Sequence, residues 1–241
     1  MIEIEKLTKR FGLFTAVDSI SFDVKPGQVL GFLGPNGAGK STTMKMITGF
    51  LAATSGQVRV CGHKVEGDAR EAKRVMGYLP EGAPSYGEMT VAQFLSFIAD
   101  VRQLKGAVRK QRTDSVIDQL NLQTVINQPV ETLSKGFKRR VGMAQAILHD
   151  PQVLIMDEPT DGLDPNQKHE VRELIKGMAE DKIVIISTHI LEEVDAVCSR
   201  AIIIARGRIV ADETPQSLLA RSPNGKLDDV FREITCAEVR S

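Results

Sequence analysis

The chain has 241 residues, of which 42% are hydrophobic and 26% charged, with 31 basic and 31 acidic side chains. This length suffices for one large α/β domain or for a domain with a subdomain, and the composition excludes a disordered protein. The formal net charge of zero lacks the basic excess of nucleic-acid-binding proteins, so we predict no nucleic-acid partner.

The cysteines and the apolar runs indicate the redox compartment and bear on whether the sequence contains a membrane segment. Cys61, Cys198 and Cys236 are scattered, without metal-ligand spacing or a disulfide framework, which fits a reducing compartment. The opening MIEIEKLTKRFG lacks the apolar core of a signal, and no apolar run approaches the roughly 18 residues needed to span a bilayer. If the protein works at a membrane, we expect another chain to supply the membrane part.

The apolar pattern predicts an α/β fold. IEIEKL and SISFDV alternate, which indicates antiparallel strands with one solvated face. Continuous apolar segments follow at 29–34, 153–156, 183–187 and 201–205, as in a largely parallel sheet covered on both faces. Between about 82 and 150, TVAQFLSFIADVRQL carries a helical stripe, so we predict an all-helical insertion there.

The stretch GPNGAGKS fits the phosphate-loop pattern G-x-x-x-x-G-K-[ST], directly after a buried-type strand and before a plausible helix. Its backbone N–H groups would wrap a phosphate, Lys40 would reach the outer phosphates and Ser41 would meet Mg²⁺. The strand–loop–helix setting favours this interpretation over a flexible glycine turn. The predicted nucleotide-binding residues here are Gly34, Asn36, Gly37, Gly39, Lys40, Ser41 and Thr42.

Two acids follow the strand VLIM, at the end where parallel sheets place ligands. Asp157 would hold Mg²⁺, and Glu158 would orient or deprotonate the attacking water. The alternative is a pair of solvated acids that start a turn before Pro159. His189 ends another buried-type strand, where it is either a structural core histidine or a contact to the γ-phosphate.

A second anion site is indicated about a hundred residues after the phosphate loop. In LSKGFKRR, Ser134 can cap a helix, and Gly136 and a run of cations follow it. A helix N-terminus of this kind can hold an anion. The alternative is an ordinary capped surface helix.

In this order, the motifs resemble those of the nucleotide-binding subunit of an ABC transporter, over roughly residues 1–215. GPNGAGKST is similar to the Walker A loop of that family, VLIMDEP to its Walker B strand and LSKGFKRR to its signature loop. DGLD is similar to the loop after Walker B, STH to the switch histidine, and GYLPEG to the loop that joins the core to the helical insertion. A GTPase is disfavoured because no N-K-x-D motif is present.

The resemblance implies a P-loop ATPase core with a mostly parallel sheet, an N-terminal antiparallel β subdomain and an inserted α-helical subdomain. Residues 1–81 and 151–214 would form the ATP-binding core, 82–150 the helical subdomain with the signature loop, and 215–241 a short tail. ATP and Mg²⁺ would be the cofactors. Phe11 would stack on adenine, and Glu81 would join Ser41 and Asp157 at the metal.

The resemblance also implies partners. Two nucleotide-binding subunits would pack head to tail, so that Ser134 and Gly136 of one close on the ATP of the other, with Asp164 in a dimer-interface loop. A separate integral-membrane permease would dock at about residues 81–103, which places the chain peripherally on the cytoplasmic side of the membrane. Phe94 and Phe97 lie on the helix of that surface, where core packing is the more frequent role.

Two departures from the family pattern stand out. In the signature loop, Lys135 and Phe137 replace a glycine and a glutamine, while Ser134 and Gly136 are kept. Glu81 stands where glutamine is usual, which adds a negative charge beside the metal. With the phrasing YLPEGAPSYGEMTV, these departures resemble ATPases of the ABC-2 exporter branch, especially the gliding-motility type.

Two alternatives stay open. A cytosolic ABC ATPase that assembles proteins or cofactors without a permease would share every nucleotide motif. A repair or translation ATPase would need a long coiled-coil insertion or tandem cassettes, neither of which the sequence contains.

Overall fold

A computed structural model describes residues 1–67, 69–82, 86–222 and 226–237 as two β-sheets with helices around them. The strands are β1 (Ile2–Phe11), β2 (Phe14–Val24), β3 (Val29–Leu33), β4 (Ser55–Val60), β5 (His63–Lys64), β6 (Met76–Leu79), β7 (Val153–Asp157), β8 (Ile183–Thr188), β9 (Arg200–Ala205) and β10 (Arg208–Glu213). The helices are α1 (Lys40–Ile47), α2 (Arg70–Arg74), α3 (Val91–Val101), α4 (Gly106–Gln119), α5 (Lys135–Ile147), α6 (Pro165–Ala179), α7 (Leu191–Val197), α8 (Pro215–Ala220) and α9 (Leu227–Ala237). Short 3₁₀ helices cover Gln123–Val125 and Val130–Thr132.

The six-stranded sheet has the order β10-β9-β3-β8-β7-β6, with parallel pairing from β9 to β6. The strand β10 pairs antiparallel with β9 at one edge. The four predicted continuous apolar segments are the strands β3, β7, β8 and β9, so the prediction of a mostly parallel sheet is confirmed. The antiparallel edge was not predicted, because nothing in RIVADE specifies the direction of its neighbour.

The second sheet is antiparallel, with the order β2-β1-β4-β5. The alternation in the first two segments therefore predicted β1 and β2 correctly. Half of this sheet comes from later in the chain, because β4 and β5 follow α1; β4 pairs with β1, and β5 pairs with β4. Strand pairing between distant segments leaves no local pattern, so this part was missed.

Both faces of the six-stranded sheet are covered, which explains the continuous apolar strands. Leu30 and Phe32 of β3 pack in a core with α1 and the antiparallel sheet. Val29 and Leu33 pack on the opposite face in a core with the helices. Successive side chains of a strand point to opposite faces, so a strand with two covered faces needs apolar residues throughout.

The helix α5 lies directly against β6. A Cβ atom on Gly77 of β6 would overlap the carbonyl oxygen of Ala146 in α5, so only glycine allows this close approach. Ser134 caps the N-terminus of the helix: its Oγ accepts a hydrogen bond from the N–H of Phe137 at 3.3 Å. The close packing therefore places the start of α5 relative to the sheet.

No helix within the described ranges has the length and apolar character needed to cross a bilayer. On α3, Phe94 is buried in the core, whereas Phe97 is 36% exposed. Residues 83–85, which belong to the predicted docking surface, and the Pro-Asn-Gly stretch at 223–225 of the predicted tail lie outside the described residues.

Candidate functional site

The phosphate loop connects β3 to α1 at the carboxyl edge of the parallel strands. At Gly39 the backbone has φ +108°, and a Cβ atom there would lie 2.5 Å from the carbonyl oxygen of Ala16. A side chain is therefore excluded on both conformational and steric grounds. The Lys40 ammonium donates to the carbonyl oxygens of Gly34 and Pro35, at 2.7 and 3.3 Å, which holds its charge at the loop.

A cleft of about 440 Å³ opens beside this loop. Phe11 and Phe14 lie at its rim, and they are 50% and 62% exposed. The ammonium of Lys9 lies 5.1 Å from the centroid of the Phe11 ring, a cation–π contact that orients the ring. The cleft is lined by Phe11, Phe14, Ala16, Asn36, Gly37, Gly39, Lys40, Ser41, Thr42, Glu81 and Glu158.

The acids predicted from VLIMDEP lie at the end of β7, next to this cleft. Asp157 is fully buried, and its Oδ1 accepts a hydrogen bond from Ser187 Oγ on β8. Its other oxygen, Oδ2, has no hydrogen-bond partner among the described residues, although it is shielded from solvent. A buried carboxylate oxygen without a donor is costly unless a cation or another donor meets it.

The charges of the cleft act on Lys40. Burial lowers the pKa of its ammonium below the ordinary value, and the nearby carboxylates of Glu158, Asp157 and Glu81 oppose that shift. The site therefore brings three carboxylates and one partly desolvated ammonium together. This combination of charges is expected where both phosphates and a divalent cation bind.

Glu158 and His189 form a pair at the edge of the cleft. The Nδ1 atom of His189 lies 2.9 Å from Glu158 Oε2, and the two side chains are 51% and 13% exposed. Glu158 has φ +51°, a left-handed conformation that is strained for a residue with a side chain. Its N–H donates to the carbonyl oxygen of Ser187 at 2.9 Å, which anchors one end of the strained residue.

The predicted signature residues and the residue of the predicted dimer-interface loop lie outside the lining of the cleft. Ser134, Gly136 and Asp164 are not among its lining residues. They lie close to one another instead, since a Cβ atom on Gly136 would meet the side chain of Gln167. Asp164 caps α6 by accepting the N–H of Gln167 at 2.9 Å.

Three side chains near the site were not predicted. Phe14 is a second aromatic ring at the cleft, Ser187 donates to Asp157, and the buried Arg139 contacts the main chain around Glu158. Ser187 could have been suspected, because it is the last residue but one of β8, which pairs with β7. For Arg139, the sequence showed only a run of three cations at 138–140. Such a run does not indicate which of the three side chains is buried.

Comparisons with known proteins identify the family. The family model described as "ABC transporter" matches residues 17–161. The probable multidrug ABC transporter ATP-binding protein YbhF of Escherichia coli K12 is 37% identical over 234 residues, which is 97% of this chain. The chain spans only 40% of the length of that relative.

A second relative matches over most of its own length. The Nod factor export ATP-binding protein I of Paraburkholderia xenovorans LB400 is 36% identical, over 95% of this chain and 76% of the relative. A solved structure of an ATP-binding subunit of an ABC transporter superposes with a TM-score of 0.89, at 28% identity, and covers 98% of this chain and 99% of the other. The chain therefore belongs to the ABC transporter family, and it is similar to the ATP-binding subunits of that family.

Proposed function

We propose that this chain binds Mg-ATP in the cleft at the phosphate loop, dimerises around two nucleotides and powers a separate membrane permease, an exporter. The observation that carries the proposal is that Lys40 and Glu158 line one cleft, with His189 paired to Glu158. The phosphate loop supplies binding, and the acid–histidine pair supplies the chemistry of hydrolysis.

The base and phosphates of ATP would lie at opposite ends of the cleft. Phe11 stacks on the adenine, with Phe14 as a second apolar wall. The N–H groups of the glycine-rich loop and the start of α1 receive the phosphates, where the helix dipole favours negative charge. Lys40 then exchanges its bonds to loop carbonyls for bonds to phosphate oxygens.

The residues present fit a magnesium ion. Asp157 offers a buried oxygen without a protein donor, Ser41 offers a hydroxyl and Glu81 a second carboxylate. The described residues hold no group of three or more His, Cys, Asp or Glu side chains able to bind a metal alone. Mg²⁺ is commonly held by one or two carboxylates together with substrate phosphates, and when bound it offsets their charge.

Hydrolysis would use Glu158 as the general base. Its carboxylate lines the cleft, where it can orient a water and accept its proton as the water attacks the γ-phosphate. The hydrogen bond from His189 Nδ1 orients that carboxylate and fixes the imidazole ring. In the imidazolium form of His189, Nε2–H could also donate to an oxygen of the γ-phosphate.

The dimer accounts for the second anion site. Ser134 and Gly136 begin α5 away from the cleft of their own chain, and the first turn of α6, capped by Asp164, lies next to them. In the proposed head-to-tail dimer, they close on the nucleotide of the other subunit. ATP is then both substrate and bridge, so hydrolysis removes the contact that holds the two subunits together.

The permease would dock in a groove of about 1000 Å³ between the β6 region and α3. Phe50 and Val101 line it and are 77% and 59% exposed, and Phe97 of the predicted docking surface is exposed nearby. Basic residues also line the groove, namely Arg70, Lys73, Arg74 and Arg102. We propose that the docking segment of the permease is a short helix with an apolar anchor and acidic residues.

The proposal of export rests on the relatives, whose names refer to multidrug transport and Nod factor export. The proposal of the ABC-2 exporter branch and, within it, of the gliding-motility type rests on the resemblance of YLPEGAPSYGEMTV and LSKGFKRR to the sequences of those ATPases. We accordingly place the chain peripherally on the cytoplasmic side of a membrane, beside an ABC-2 type permease. The boundaries 1–81 with 151–214, 82–150 and 215–241 are proposed for its core, helical subdomain and tail.

The proposal is tested by tagging the chain at its native level, separating membranes from cytosol and identifying what co-purifies in mild detergent. We expect the chain in the membrane fraction together with a polytopic protein. Recovery in the cytosol with soluble proteins alone would overturn the permease proposal in favour of an assembly ATPase. ATP hydrolysis by the purified chain tests the catalytic part separately.

A further inference from the structure

Arg139 is a buried cation. In the described part of the chain, its hydrogen bonds go only to main-chain oxygens. It lies on α5 and is 6% exposed. Its Nε donates to the carbonyl oxygen of Pro159 at 3.2 Å and its Nη1 to that of Pro80 at 3.0 Å. Its Nη2 donates to the carbonyl oxygens of Asp157 and Glu158. One guanidinium thus holds the ends of two neighbouring strands, β6 and β7.

The bonds of Arg139 surround the strained residue. Glu158 has φ +51°, and its N–H is held by the carbonyl oxygen of Ser187 on β8. Arg139 holds its carbonyl oxygen and those of the residues on either side. A strained conformation persists only where the surroundings over-determine it, and these contacts do so.

The charge of Arg139 also suits this place. The carboxylates of Asp157, Asp161, Glu158 and Glu81 all act to keep the guanidinium protonated against the effect of burial. A neutral donor with two N–H groups could not reach four carbonyl oxygens on two strands. The rigid fork of arginine, with five N–H donors, is the side chain that can.

We propose that Arg139 is a positioning residue for hydrolysis, which acts by holding the main chain of Glu158 so that its carboxylate faces the cleft. This inference rests on the proposed role of Glu158 and adds a residue to that site. Since Arg139 belongs to the helix that begins at Ser134, it also links the conformation of Glu158 to the position of the signature helix.

The test measures steady-state ATP hydrolysis by the purified full chain carrying Arg139→Lys, with Arg140→Lys as the matched control. Arg140 lies on the same helix and is 8% exposed, but it donates to Leu120 and Glu170, away from Glu158. At either position, lysine keeps the positive charge but lacks the planar, forked set of N–H donors of the guanidinium. Arg139→Gln is the second variant, and thermal unfolding identifies which variants fold.

We expect Arg139→Lys to lower kcat about 100-fold, as for a catalytic group displaced by about 1 Å. The KM for ATP should change by less than about threefold, because the phosphate loop is untouched. The control Arg140→Lys should retain kcat within about threefold. In a Glu158→Gln background, measured in single turnovers, Arg139→Lys should have no further effect on the rate, because the carboxylate that it positions is already absent.

Two outcomes would overturn the inference. If Arg139→Lys or the folded Arg139→Gln retains kcat, Arg139 does not position Glu158, while the ATPase assignment stands. If the loss of rate multiplies with that of Glu158→Gln, Arg139 acts on general stability rather than through Glu158. A wild-type chain without ATP hydrolysis would instead contradict the proposed function itself.

Discussion

His149 is a titratable side chain that lies outside the candidate site and follows α5. Its Nε2 lies 3.0 Å from the carbonyl oxygen of Met76, and the ring lines the large groove. Burial, with the nearby cations Arg102 and Arg112, lowers the pKa of His149 to about 4. The folded protein therefore keeps this imidazole neutral at pH values where the unfolded chain protonates it.

This difference predicts a pH dependence of stability. Between pH 6.5 and 4 the unfolded state binds the extra proton, so the stability contributed by neutral His149 is present above that window and is lost as the pH falls through it. From pH 7 to 5, the wild type should lose about 2 kcal/mol more free energy of unfolding than His149→Gln does. Urea unfolding of both proteins at several pH values measures this difference in the free energy of unfolding.

His63→Gln provides the control, because His63 is exposed on β5. We expect this variant to follow the wild-type dependence on pH. Parallel curves for the wild type and His149→Gln would show that the buried imidazole contributes nothing to acid destabilisation.

At the scale of elements, the contact between α5 and β6 connects the sheet to the helix that carries the signature loop. Gly77 permits the contact, since any Cβ atom there would overlap the carbonyl oxygen of Ala146. The same helix carries Ser134 at its start and Arg139 one turn later. A displacement of α5 would therefore move both Ser134 of the proposed signature loop and Arg139, which holds the main chain of Glu158.

We expect Gly77→Ala to destabilise the protein by about 1 to 3 kcal/mol through overpacking, and to lower ATP hydrolysis as α5 shifts. Gly177→Ala is the matched control, because Gly177 lies inside α6 and no atom lies within 4 Å of a Cβ atom placed there. That change should raise stability by about 0.5 to 1 kcal/mol, from helix propensity alone. Denaturant unfolding measures both, and equal stability of the two variants would refute the packing argument.

At the scale of the whole molecule, the phosphate loop and the signature loop of one chain would serve different nucleotides in the proposed dimer. The cleft is lined by the first and not by Ser134 or Gly136 of the second. A single chain therefore presents one half of each of two proposed sites. In the proposed dimer, a second subunit completes both sites, and the nucleotide that bridges the two subunits stabilises their association.

Glu158→Gln should bind ATP without turning it over and thus trap the dimer. Light scattering after gel filtration should give the mass of two chains with saturating Mg-ATP and of one chain without nucleotide. Adding Lys40→Ala should restore the monomer, because the phosphates lose their cation. A monomeric Glu158→Gln at saturating Mg-ATP would exclude a dimer of identical chains.

Much of the fold was predictable, because the signals were local. The apolar strands β3, β7, β8 and β9 followed from four continuous runs, and β1 and β2 from alternation. The pairing of β4 with β1, that of β5 with β4 and the antiparallel edge strand β10 were not predicted. Such pairings depend on contacts between distant segments, which no single window of sequence contains.

By itself, the sequence determined which chemical groups are available to the site. These are a glycine-rich loop with Lys40, two acids after a buried strand and a histidine after another. Only the tertiary structure decided how these groups are held. It placed Ser187 against Asp157, paired His189 with Glu158 and buried Arg139 beneath the strained residue. Residue types and spacing are local properties, whereas the orientation of a carboxylate depends on side chains that the fold brings from elsewhere.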